Sequence, residues 1–196
     1  MLPEHYRAAG VLPFARRPDD VYLLLGQEDK RELMWSCFGG KREGREDDPV
    51  VTAVREFIEE TGGQTFMDSG EQFRKVLSTS TSRGPVMWSK DALYLLYCLE
   101  IPFTHLEATW ALSTHPSTSA TLTTTRPHDA WTEKCGFAWV SFAGLRTLIE
   151  TKQPASFELH EGLEQRGTIS RLSGYLHALL SSPNTLQCLA RYFGQL

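Results

Sequence analysis

The stretch DPVVTAVREFIEETGG, residues 48–63, constrains this chain more than any other. It reads as one helix whose start and stop are both written in. Asp48 is a capping residue, Pro49 suits the first helical position, and Gly62 is a natural residue just past the end. Val51, Val54 and Ile58 recur at helical spacing, with Val50 and Phe57 alongside, so one face is apolar and has to be covered. Arg55, Glu56, Glu59 and Glu60 lie off that face. The three glutamates fall in the last turns, where the helix dipole is negative and basic residues are preferred. Like charges three and four residues apart add about a few tenths of a kcal/mol of repulsion per pair.

A divalent cation would reverse that penalty. At about 3.6 residues per turn, Glu56, Glu59 and Glu60 share a face and can converge on one point. Mg²⁺ or Mn²⁺ takes hard oxygen ligands and bridges carboxylates to substrate phosphates. Arg55 precedes Glu59 by four residues and can hold its carboxylate. Upstream, Gly39 and Gly40 allow the backbone to pass close to an ion or a phosphate, and Lys41 can neutralise phosphate charge. The helix end thus reads as built for a cation that the chain itself does not supply. A merely solvated acidic face would interleave lysines, and this one has a single Arg.

The run from Gly39 to Gly62 resembles the Nudix box, the signature of Nudix hydrolases. That pattern is a Gly, five residues, a Glu, seven residues, then R-E-apolar-x-E-E-x-G. Gly40, Glu46, Arg55, Glu56, Phe57, Glu59, Glu60 and Gly62 match it in identity and order. Eight residues separate Glu46 from Arg55 rather than seven. The extra one is placed in the loop REDDP, where an insertion costs little, and Asp47 could take the place of Glu46. Gly63 stands where an aliphatic residue is usual, and Phe38 where a proline often precedes the glycines.

The resemblance implies hydrolysis of a nucleoside diphosphate linked to another group, by water attacking a pyrophosphate phosphorus. It implies Mg²⁺ or Mn²⁺ held by Glu56, Glu59, Glu60 and the Gly39 carbonyl. Glu56 is then the general base and Arg55 orients the glutamates. In many family members a further base or ligand comes from a later loop or strand. Glu133 is the candidate here, with Glu107 and Asp129 behind it. Substrates in view are a nucleotide sugar, ADP-ribose, a dinucleoside polyphosphate or a nucleoside triphosphate. The chain lacks the accessory arrays of the NADH-cleaving and coenzyme A-cleaving types. The alternatives are decapping of RNA, hydrolysis of an inositol pyrophosphate, and a non-catalytic module that binds a nucleotide or a protein.

Elsewhere, AAGVLPFAR and VYLLLGQE read as strands joined by the turn RRPDD, and LMWSCFGG as a short strand. FRKVLSTSTS is strand-like, DALYLLYCLEIPF is a buried strand, and GFAWVSFAGLRTLIE runs from strand to helix. The tail reads as one or two amphipathic helices, serving as packing elements or as a dimer face. Residues 113–129 are rich in Ser, Thr and Pro and read as a flexible internal loop. The expectation is one domain over residues 1–196, an α/β/α sandwich of Nudix type with a mixed central sheet.

Trp35, Trp88, Trp110 and Trp131 could stack on a base, and Trp35 is favoured by its proximity to the box. His105, His115 and His128 lack metal-ligand spacing and read as surface residues. A net charge of −4 gives no broad electrostatic footprint for long nucleic acid. Four dispersed cysteines without a CxxC pair speak against a zinc site and for a cytoplasmic or other reducing compartment. No apolar run is long enough to span a bilayer, and the N-terminus does not read as a signal peptide.

Overall fold

In the computed structural model, which describes residues 5–28, 34–61, 70–79, 84–103, 134–158 and 166–195, strands with long apolar runs form one mixed sheet. Strand β1 (Ala8–Arg16) pairs antiparallel with β2 (Val21–Glu28) and parallel with β6 (Tyr94–Glu100). The two short strands β3 (Trp35–Ser36) and β4 (Phe38–Lys41) attach to β2 and β1 respectively. Strand β5 (Val86–Ser89) extends the β6 edge. On the other side β7 (Lys134–Ser141), β8 (Ala155–Glu158) and β9 (Arg166–Ile169) follow β2.

Helices cover both faces. Helices α1 (Pro49–Glu60) and α2 (Gly70–Ser78) pack on one, against residues such as Val11, Leu95 and Trp139. On the other lie α3 (Phe142–Thr151), α4 (Gly174–Leu180) and α5 (Pro183–Phe193), against Leu12, Leu23 and Val140. This double cover explains why β1, β2 and β6 are nearly continuous apolar runs rather than alternating ones. The architecture is the expected α/β/α sandwich.

Helix α1 begins as its sequence dictates: the Asp48 carboxylate accepts from Val50 N at 2.9 Å, and Pro49 opens the helix. Its buried face is only partly the expected one. Val50, Ala53, Val54 and Phe57 are buried while Val51 and Ile58 are only half-buried, and Glu56 and Glu60 are buried too. Residues 53, 56, 57 and 60 form a single helical stripe, turned towards β1 and β4.

FRKVLSTSTS, expected as a strand, begins instead within α2. Phe73 and Leu77, four residues apart, are buried, and the Phe73 ring lies 5.0 Å from that of Phe57. Packing against α1 overrides the β-leaning Val, Ser and Thr content. LMWSCFGG is two strands interrupted at Cys37, because it first pairs with β2 and then crosses to β1. Gly62, Gly63, Glu107, Trp110, Trp131, Asp129, Glu133, the three loop histidines and residues 113–129 lie outside the described residues. Among the described residues no helix is long and apolar enough to cross a membrane.

Candidate active site

The β1–β4 register sets Ala9 opposite Gly40 and Gly10 opposite Gly39, and α1 crosses these strands with its C-terminal half. The result is a cavity of about 980 Å³. Gly39, Gly40, Lys41, Glu56 and Glu60 all line it. A side chain at position 40 would collide with the Glu56 carboxylate, so glycine there is what admits the carboxylate.

Arg55 is the hub of the helix end. Its Nη1 donates to Glu56 Oε1 and to Glu59 Oε2, each at 2.9 Å, and its Nε donates to Glu46 Oε1 at 2.9 Å. Its Nη2 donates to the Lys41 carbonyl at 2.9 Å, which ties the loop to the helix. Burial and the opposing charges act against each other on this guanidinium, and the hydrogen bonds and charges of Glu46 and Glu56 prevail, raising its pKa. Glu46 also accepts from Thr52 Oγ1 at 2.6 Å and from Glu43 N at 3.1 Å. Burial pushes the Glu46 carboxyl up, but these hydrogen bonds outweigh it and hold its pKa at about 2. Despite the extra loop residue, it is Glu46 that anchors Arg55. Asp47, the proposed substitute, is exposed and pairs with Arg42 at 2.8 Å.

Glu60 has a different partner, one the sequence did not single out. Its Oε2 accepts from Gly39 N at 2.8 Å, and its Oε1 lies 3.1 Å from Lys134 Nζ. Lys134 is only 4% exposed, donates to Ser36 Oγ, and has Glu28 Oε1 at 3.8 Å. It reaches this point along β2, where Gly26 leaves the passage: a Cβ there would lie 2.8 Å from Lys134 Cδ. Burial raises the Glu60 pKa to about 7, opposed by Lys134. No local motif marks Lys134. Its position depends on β7 pairing with β2, more than one hundred residues away in sequence, as the Glu28–Lys134 pairing shows.

The three glutamates are thus held by different partners. Arg55 binds the buried Glu56 and the half-exposed Glu59, and Lys134 binds the buried Glu60. Among the described residues, no group of three His, Cys, Asp or Glu stands ready to hold a metal ion. The charge that an external cation was expected to neutralise is matched in part by the chain's own cations. The donor chemistry nonetheless suits a hard divalent ion, since two buried carboxylates and a glycine-lined strand face one cavity.

Lys41 is exposed at the cavity wall. Trp35 departs from expectation. It is buried in the core beneath α4 and does not line the cavity. Its backbone instead binds the chain ahead of α4, through Trp35 N to Arg171 O at 3.1 Å and Ser173 N to Trp35 O at 2.8 Å. Trp88 is half-buried and packs against the α1–α2 core.

A family model described as the NUDIX domain matches residues 4–161. The chain belongs to the Nudix family. It is, in enzyme class, a Nudix pyrophosphohydrolase, and Nudix hydrolases generally use divalent metals. Among solved structures, the chain is similar to a MutT/nudix family protein from Enterococcus faecalis. That pair is 15% identical over 100% of this chain and 77% of the other, with a TM-score of 0.46. A NUDIX hydrolase from Nitrosomonas europaea is 14% identical over 97% of this chain and 90% of that one, at 0.40. An Ap4A hydrolase from C. elegans is 15% identical over 70% and 81%, at 0.36. Among curated proteins none matches with significance.

Proposed function

We propose that this Nudix chain hydrolyses a pyrophosphate bond in a nucleoside diphosphate linked to another group, with Mg²⁺ or Mn²⁺ as cofactor. The substrates in view are a nucleotide sugar, ADP-ribose, a dinucleoside polyphosphate or a nucleoside triphosphate. The observation that carries this reading is the pair of buried carboxylates, Glu56 and Glu60, facing one cavity beside Gly39 and Gly40. Arg55 and Lys134 match the charge of these carboxylates and the nearby Glu59 only in part, which leaves a role for a cation that arrives at the cavity.

Glu56 and Glu60, with Glu59 and the Gly39 carbonyl, would hold the cation. When bound, the cation polarises phosphoryl oxygens and lowers the pKa of water. The remaining work belongs to the chain. Glu56 accepts the proton of the attacking water as general base, its carboxylate fixed from one side by Arg55 Nη1. Arg55 keeps Glu56 and Glu59 from drifting apart, and Glu46 keeps Arg55 in place. Lys41 neutralises phosphate charge at the cavity wall, and Gly40 keeps that wall free of side chain. Glu133 remains a candidate for a further carboxylate. Buried free thiols at Cys37 and Cys98 accord with a cytoplasmic or other reducing compartment.

The test is a panel of ADP-ribose, nucleotide sugars, dinucleoside polyphosphates and nucleoside triphosphates, each with and without Mg²⁺ or Mn²⁺. We expect metal-dependent release of phosphate-containing products, and a drop in kcat of about 100-fold or more in Glu60→Gln. Binding without turnover across the whole panel would make the chain a non-catalytic module instead.

A further inference from the structure

Among the described residues, one aromatic side chain at the cavity is exposed, and it comes from outside the segment that the family model matches. Tyr175 lies on α4, beyond residue 161, and lines the same cavity as Glu56 and Glu60. It is 63% exposed, the most open large apolar side chain among the described residues. The other, Tyr192, is engaged: the Arg16 guanidinium lies 5.3 Å from its ring centre, and the Phe14 ring is 5.8 Å away.

Tyr175 is exposed yet well located. Leu176, Leu179 and Leu180 bury the opposite flank of its helix, and Ser173 caps that helix. The segment just before it is bonded to the Trp35 backbone. The Tyr175 ring stacks on Tyr94, with centroids 6.2 Å apart and planes 18° from parallel. Tyr94 is itself buried, and its hydroxyl is bonded to Cys37 Sγ at 3.3 Å. A flat ring held in this way presents a platform whose ordering is already complete before a ligand arrives.

We propose that Tyr175 is the platform on which the base of the substrate stacks, so that the substrate carries a planar nitrogen heterocycle. This rests on the functional reading above and deepens it. The cavity is then divided by chemistry: Gly39, Gly40, Lys41 and the cation that the box carboxylates would hold face the pyrophosphate, and Tyr175 takes the base. Stacking of this kind tolerates many bases, because every base has a π-face. An inositol pyrophosphate has no such ring and gains nothing from Tyr175. The base-stacking role that proximity suggested for Trp35 passes to the helix that the Trp35 backbone positions.

The experiment compares wild type, Tyr175→Ala and Tyr175→Phe on the nucleoside diphosphate compound that the panel shows to be cleaved fastest. Calorimetric titrations with AMP and with ribose 5-phosphate accompany it. Tyr175→Ala is expected to raise KM and weaken AMP binding about tenfold or more, with kcat and ribose 5-phosphate binding little changed. Tyr175→Phe should restore wild-type values, because the ring and not the hydroxyl is used. If wild type turns over the compound and Tyr175→Ala leaves KM and AMP binding unmoved, the stacking role is overturned while the pyrophosphohydrolase reading stands. If wild type cleaves nothing on the panel and does not bind AMP, both fall together.

Discussion

Replacing Glu46 by Gln keeps the size of the side chain and removes its charge. In the folded chain that charge takes hydrogen bonds from Arg55 Nε at 2.9 Å, Thr52 Oγ1 at 2.6 Å and Glu43 N at 3.1 Å. Its pKa of about 2, against an ordinary 4.5, means that the unfolded chain takes up the proton first as the pH falls. The stabilisation is therefore fully present above about pH 4.5 and is lost as the pH drops towards about 2. A shift of that size corresponds to an upper bound of about 3.4 kcal/mol. Glu46 sits at the edge of the solvent, and screening brings the expectation to about 2 kcal/mol.

Urea denaturation of wild type and Glu46→Gln should therefore differ by about 2 kcal/mol at about pH 7, and by about half of that at about pH 3. The gap closes at acid pH because the wild-type carboxyl is then protonated in the unfolded chain. Equal stability at neutral pH would refute the reasoning. So would a gap that does not narrow in acid, since the difference would then have nothing to do with charge.

Two other substitutions probe what the tertiary structure adds. Lys134→Met leaves the Glu60 carboxylate buried without its cation and should cost about 2–4 kcal/mol in urea denaturation, with Lys134→Met/Glu60→Gln recovering more than half; an additive double variant would mean that the pair is not coupled. Phe73→Ala removes the ring that docks α2 on Phe57 and should cost about 3–4 kcal/mol, measured by thermal or urea unfolding. A loss below about 1 kcal/mol would mean that α2 is not anchored there.

The extent of helix α1 was legible in the sequence because its signals are local. Asp48 and Pro49 act within one turn, and the apolar spacing requires a single buried stripe. The strands β1, β2 and β6 were legible for a related reason: apolar runs of seven to nine residues have few ways to be covered except between two helical layers. The acidic box could be read because like charges packed at a helix end demand a compensating charge, whatever the fold. Helix α2 was misread because its identity is decided by where Phe73 and Leu77 dock, and docking is not a local property.

What remained hidden was the source of the compensating charge and of the aromatic platform. Lys134 reaches Glu60 only because β7 pairs with β2 and Gly26 leaves room for its stem. Tyr175 reaches the cavity only because the Trp35 backbone binds the chain ahead of α4. The sequence by itself determined that three glutamates would gather at a helix end beside two glycines. The tertiary structure alone decided that Lys134, as well as Arg55, faces them. Such pairings join residues tens to over a hundred positions apart, where chain spacing carries no information and only the packing of the sheet sets the distance.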